Sequence, residues 1–152
     1  YLTNEGVIVG LANKTFHPDT AITRAEFTAM AVRFFDAYGD GADDIMEKYN
    51  AFDDVNDGYW AAEYIKDAAI HGWVVGYGDG TFRADDTINR AEVVTIVNRL
   101  LGRTADMDYI AKHLRTMNTF SDLSTRHWAY YAVMEAANAH TATLDAEEVW
   151  SK

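Results

Sequence analysis

Two blocks of sequence recur along this chain, so any fold it adopts must build the same local units more than once. The block GVIVGLANKTFHPDTAITRAEFTAMAVRFF, from Gly6, aligns without gaps on GWVVGYGDGTFRADDTINRAEVVTIVNRLL, from Gly72, at an offset of 66 residues. The alignment keeps Gly10/Gly76, Thr15/Thr81, Phe16/Phe82, Asp19/Asp85, Ile22/Ile88, Arg24/Arg90, Ala25/Ala91, Glu26/Glu92 and Arg33/Arg99. A second block, FDDVNDGYWAAEYIKDAA from Phe52, recurs as FSDLSTRHWAYYAVMEAA from Phe120 at an offset of 68 and shares Phe52/Phe120, Asp54/Asp122 and Trp60/Trp128. If the second block opens a repeat and the first closes it, the order is closing half, opening half, closing half, opening half.

Each half reads as helix. In the closing half Phe27, Met30, Ala31, Phe34, Phe35 and Tyr38 lie at helical spacing, and Val93, Ile96, Val97, Leu100 and Leu101 repeat the stripe, which is expected to face the core. The opening half carries a narrower stripe of Trp60, Ala61, Tyr64, Ile65, Ala68 and Ala69, with Gly72 placed to end the helix in the left-handed conformation. Residues 42–50 and 105–118 keep helical spacing and read as extra helices between repeats. Apolar residues are 49% of the 152-residue chain, enough for a packed core, and the expected class is all-α.

Composition removes several functions. A formal charge of −11 opposes binding to nucleic acid or an anionic membrane, and no apolar run is long enough to insert in one. No cysteine is present, which excludes disulfides and thiolate chemistry. The sequence opens at Tyr1 with no charged-then-apolar leader, so a signal peptide, if the protein has one, is expected either to have been removed or to lie outside this sequence. His17, His71, His113, His127 and His140 have no metal-site spacing. The DDVNDG segment fails as a calcium loop, with Val55 and Tyr64 where ligands belong. No catalytic residue, metal or cofactor is expected. A glycosidase pair such as Glu26 with Asp79, or Glu92 with Asp54, is set aside because no motif places it.

Binding is the better prospect. TRAE at Thr23–Glu26 and NRAE at Asn89–Glu92 each put a capping residue three positions before a Glu, which marks a helix start. Neither cap requires Arg24 or Arg90 at the first helical position, where the dipole disfavours a cation. A guanidinium beside helix-terminal amides suits a carboxylate or phosphate; pairing with Asp19 or Asp85 is the alternative. Trp60 and Trp128 read mainly as core anchors, although an exposed indole edge beside an Arg would suit a sugar. Gly72, Gly76, Gly78 and Gly80 prevent regular structure and let a backbone come close.

The pattern F-x-D, W-A, G-x-x-x-G-Y-x-D-G-T-F and I-x-R-A-E resembles the S-layer homology (SLH) repeat of bacterial surface proteins. The resemblance implies helix-loop-helix SLH repeats packed in a pseudo-threefold bundle. It divides a single 1–152 module into 1–51 (second half of repeat 1 and a connecting helix), 52–119 (repeat 2 and its connecting helix) and 120–152 (a divergent first half of repeat 3). It also implies an extracellular protein held non-covalently on acidic, commonly pyruvylated, secondary cell-wall polysaccharide. Carried across by position, Arg24 and Arg90 match the ligand-binding Arg, Trp60 and Trp128 the groove Trp, and Gly76, Gly78, Asp79 and Gly80 the sugar-facing loop. The third unit lacks both the Gly-Asp-Gly loop and a TRAE motif and ends in LDAEEVW. Degenerate repeats serving as a structural scaffold, for another protein or for self-association, are therefore the alternative.

Overall fold

The computed structural model describes residues 1–9, 15–38, 52–144 and 148–151. They form helices α1 (Arg24–Tyr38), α2 (Ala62–Ile70), α3 (Arg90–Leu100), α4 (Met107–His113) and α5 (Tyr130–Ala137), and an antiparallel hairpin of β1 (Thr141–Leu144) and β2 (Glu148–Ser151). The all-α expectation holds. The helix expected within 105–118 is α4 with a 3₁₀ turn at Leu114–Thr116, whereas the one expected at 42–50 lies outside the described residues. The hairpin was not foreseen. It follows α5 directly, where the Gly-rich loop follows α2 in the second repeat.

The chain divides into two compact units, Tyr1–Ile88 and Asn89–Lys152. The division falls inside the second repeat, between its loop and its closing helix. In the first unit α1 packs on α2 through small residues: Ala25, Ala29 and Val32 meet the surface that carries Ala61, Ile65 and Ala68, all buried. This corrects the expected stripe. Phe34 and Tyr38 are exposed, while Phe27, Met30, Ala31 and Phe35 are half-buried. The seam at 25, 28, 29 and 32 has the same helical spacing as the expected one, and its small side chains let the helix backbones approach. Gly72 ends the α2 turn at φ +71°, as its position implied.

The loop after α2 is tied down by the segment before it. The Asp54 carboxylate accepts the amides of Phe82 and Arg83, both at 2.7 Å, and the Asp53 amide donates to the Gly80 carbonyl at 3.0 Å. The Phe52 ring lies 5.1 Å from that of Phe82, which is fully buried. Its burial contributes about 2 kcal/mol. A Cβ on Gly76 would collide with the Phe52 ring and the Thr81 carbonyl, and one on Gly80 (φ +83°) with the Asp53 carboxylate. Packing demands glycine at 76, and the left-handed backbone favours it at 80.

In the second unit α3 packs on α5, with the Asn98 amide donating to the Ala132 carbonyl at 2.9 Å. Ile110, Tyr130, Met134 and Trp150 form its core. Trp150 fixes β2: its ring stacks on His140 at 3.7 Å, its indole N–H donates to the Thr104 carbonyl, and its amide donates to Asp106, the N-cap of α4. Buried Glu135 pairs with Arg103 at 3.2 Å beside His140.

Candidate functional site

Both capping boxes form. Thr23 N donates to Glu26 Oε2 at 2.7 Å and Glu26 N to Thr23 Oγ1 at 3.1 Å; Asn89 and Glu92 repeat the exchange at 2.9 and 3.0 Å. Arg24 and Arg90 therefore stand at the first helical position, as their motifs required. Their surroundings then diverge.

Arg24 is only 5% exposed. Its Nε donates to the Phe82 carbonyl at 2.9 Å, and its guanidinium lies over the rings of Phe82 and Tyr77 at 4.6 and 5.0 Å. The helix amides beneath it are also occupied: Arg24 N reaches the Asp86 carbonyl and Ala25 N the Ala84 carbonyl, both at 2.9 Å. The next repeat's loop thus closes the start of α1 as a capping strand would, with Thr23 paired to Thr87.

At α3 the corresponding place is open. Arg90 is exposed, and among the described residues neither its guanidinium nor the amides of Arg90 and Ala91 have a hydrogen-bond or ion-pair partner. An exposed cation with two open amides and the positive end of a helix dipole matches a carboxylate.

The indoles are more open than core anchoring would leave them. Trp60 is 54% and Trp128 64% exposed, because each sits in the turn just before its helix, whereas the alanine that follows it, Ala61 or Ala129, is buried. Trp60 borders a groove of about 780 Å³, lined also by Phe16, His17, Thr23, Glu26, Arg33 and Asp85. Arg33 supplies the groove's guanidinium, its Nε on the Tyr64 hydroxyl at 3.2 Å and its plane over that ring at 4.6 Å. Arg33 is not among the residues that the motifs single out, and its one sequence signal is the match to Arg99. Asp85 accepts from the Tyr59 hydroxyl at 2.6 Å, and burial followed by this bond pushes the Tyr59 phenol up to about 12. The groove is mainly apolar, with Ile8, Val9, Ile22 and Met30 beside the Phe16 and Trp60 rings, and its polar groups include Thr23, Glu26, Arg33 and Asp85. An exposed ring face with polar groups around it is an arrangement compatible with stacking on a sugar.

The Gly-rich loop has a mostly internal role. Exposed Asp79 accepts from the Thr81 hydroxyl at 2.6 Å, the Thr81 amide at 3.1 Å and Arg83 at 2.8 Å. The Thr81 hydroxyl first, then Arg83, holds its carboxyl well below the usual carboxylate range. Gly78 has open space around it. Among the described residues there is no cluster of metal-ligating side chains, and no helix is long and apolar enough to cross a membrane.

The S-layer homology domain model matches residues 1–28 and 51–94. The chain is 31% identical over 147 residues to the cellulosome-anchoring protein of Acetivibrio thermocellus, a match covering 95% of this chain and 30% of that protein. It is 31% identical over 154 residues to cell surface glycoprotein 1 of the same organism, covering 97% of this chain and 6% of the glycoprotein. It is 33% identical over 98 residues to the surface layer protein of Brevibacillus choshinensis, covering 64% and 8% of the two chains. The chain therefore spans less than a third of the length of each of these relatives. With the repeated halves, the two capping boxes and the loop held by Asp54, these matches place the chain in the S-layer homology domain family.

Proposed function

We propose that this chain is a non-catalytic anchoring module that holds a larger protein at the bacterial surface by binding acidic, pyruvylated secondary cell-wall polysaccharide. The observation that carries this reading is the groove beside Trp60, where an exposed indole, the Arg33 guanidinium and hydrogen-bonding side chains converge. The open α3 start, with Arg90, supplies a second seat suited to a ketal carboxylate. A net charge of −11 does not oppose it, since charges more than about 8 Å away are screened at physiological salt. The relatives' names, an anchoring protein and a surface layer protein, agree with a wall location.

The test is binding of single variants to purified walls, with the melting temperature measured alongside. Trp60→Ala and Arg90→Ala are expected to weaken binding at least tenfold with unchanged melting, because both side chains are exposed. Arg24→Ala is expected to lose about 2 kcal/mol of stability, through its buried hydrogen bond and ring contacts. Wild-type binding by a Trp60→Ala, Arg90→Ala double variant would refute the reading. It would favour the scaffold alternative, which the burial of Arg24 supports.

A further inference from the structure

The groove beside Trp60 has a direction. Glu26, Met30 and Arg33 lie at i, i+4 and i+7 on α1, so they share one face of the helix and line the groove in that order over about 10 Å. Asp85 belongs at the Glu26 end, because the carbonyls on either side of it, those of Ala84 and Asp86, cap the amides that open α1. The charges of both carboxylates act on the Tyr59 phenol, in keeping with a shared end. Carboxylates therefore stand at the start of α1, a guanidinium stands two turns on, and apolar Met30 lies between them.

Each charged group is held by the protein on one side and left open on the other. Thr23 N donates to Glu26 Oε2 at 2.7 Å, and the Tyr59 hydroxyl donates to Asp85 Oδ1 at 2.6 Å. Arg33 is fixed through its Nε on the Tyr64 hydroxyl and its plane over the Tyr64 ring. Among the described residues, the second oxygen of each carboxylate and the terminal nitrogens of Arg33 have no hydrogen-bond partner. The hold on Asp85 is constant. Burial, and then the bond itself, raise the Tyr59 phenol to about 12, so it stays a donor at every pH well below that.

A pyranose with a carboxylate on one edge keeps hydroxyls on the opposite edge. Hydroxyls can donate, which suits the open oxygens of Glu26 and Asp85, whereas a carboxylate only accepts, which suits the open fork of Arg33. Turned round, the same sugar would set its carboxylate against two groups of its own sign. A ligand charged along its whole length, such as a phosphodiester polymer, meets that repulsion in either direction.

We propose that Asp85 and Glu26 determine specificity in this groove: they take sugar hydroxyls, fix the direction in which the glycan lies and exclude polyanions, with Tyr59 as the positioning residue that aims Asp85. This assignment rests on the glycan reading of the groove and adds which acidic glycans it admits. They are those whose carboxylates are isolated among neutral hydroxyls.

The experiment is a nuclear magnetic resonance titration of the full chain with two probes, with melting temperatures measured alongside. One probe is a methyl hexopyranoside carrying a single pyruvate ketal; the other is the same glycoside with a phosphate added on the opposite edge. The wild type is expected to bind the first at least about tenfold more tightly than the second. Asp85→Asn, isosteric at an exposed position, should weaken binding of the first probe and narrow the gap between the two by at least about threefold. Tyr59→Phe leaves the Asp85 charge in place. It should therefore weaken binding of the first probe by about threefold or more and keep the gap, a split that a general loss of structure would not produce. A wild type that binds the ketal glycoside but takes the phosphorylated one equally well overturns the assignment and leaves the glycan reading standing, as does either variant with wild-type affinities. A wild type that binds neither probe refutes the glycan reading of the groove and this assignment with it.

Discussion

At the scale of single residues, the same side chain in two repeats has two fates, decided by whether a loop lies over it. Asp54 takes two backbone amides that would otherwise be left beside a buried Phe82, whereas Asp122 is open. Asp54→Ala is thus expected to cost about 2–3 kcal/mol, and Asp122→Ala to remain within about 0.5 kcal/mol, in denaturant unfolding of dilute protein. Tyr59 gives a prediction in pH. Its phenol is raised from 10.0 to about 12, so the folded state favours the neutral form. That contribution is complete below pH 10, the ordinary phenol value, and is lost as pH climbs toward 12. Ultraviolet titration should show late ionisation by Tyr59 and by Tyr38, both raised to about 12, and Tyr59→Phe should remove one of the two; an unchanged titration would contradict the bond to Asp85. The residues behind this were only partly legible in sequence. TRAE and NRAE announced their caps, but the identical Arg in each could not reveal that carbonyls from 60 residues along the chain cover one α-helix start and not the other.

At the scale of elements, periodicity located the helices and misjudged a face. In α1 two interleaved stripes have the same spacing, one aromatic and one small, and size alone points to the wrong one. Close approach of two backbones favours Ala25, Ala29 and Ala68 on the seam and leaves the rings on its flanks. The C-terminal hairpin was missed because it is short, and its anchor, Trp150, acts through distant partners. Asp106 links these elements, since it caps α4 through the Tyr109 amide at 2.8 Å and accepts the Trp150 amide at 3.3 Å. Asp106→Ala is expected to destabilise by about 1–2 kcal/mol and to increase hydrogen exchange across 148–151. The Tyr109 amide chiefly lowers the Asp106 carboxyl below its ordinary value. The wild type's advantage over Asp106→Ala is therefore full above pH 3.8 and fades as acid protonates the folded carboxylate. An equal margin at neutral and strongly acidic pH would contradict this.

At the scale of the molecule, an acidic helical chain assembled from alternating halves carries exposed indoles and an uncovered Arg90, whereas the loop of its second repeat covers Arg24. The repeat order was readable at once, because self-similarity survives without any structure. What each copy left uncovered was not readable, since exposure depends on which half is present to cover it. The central claim is that the wall's secondary polysaccharide is what the module holds, and co-sedimentation with purified walls before and after chemical removal of that polymer tests it most directly. The account predicts that the chain pellets with intact walls and stays in the supernatant over stripped ones. Equal pelleting with both, or with neither, would contradict it.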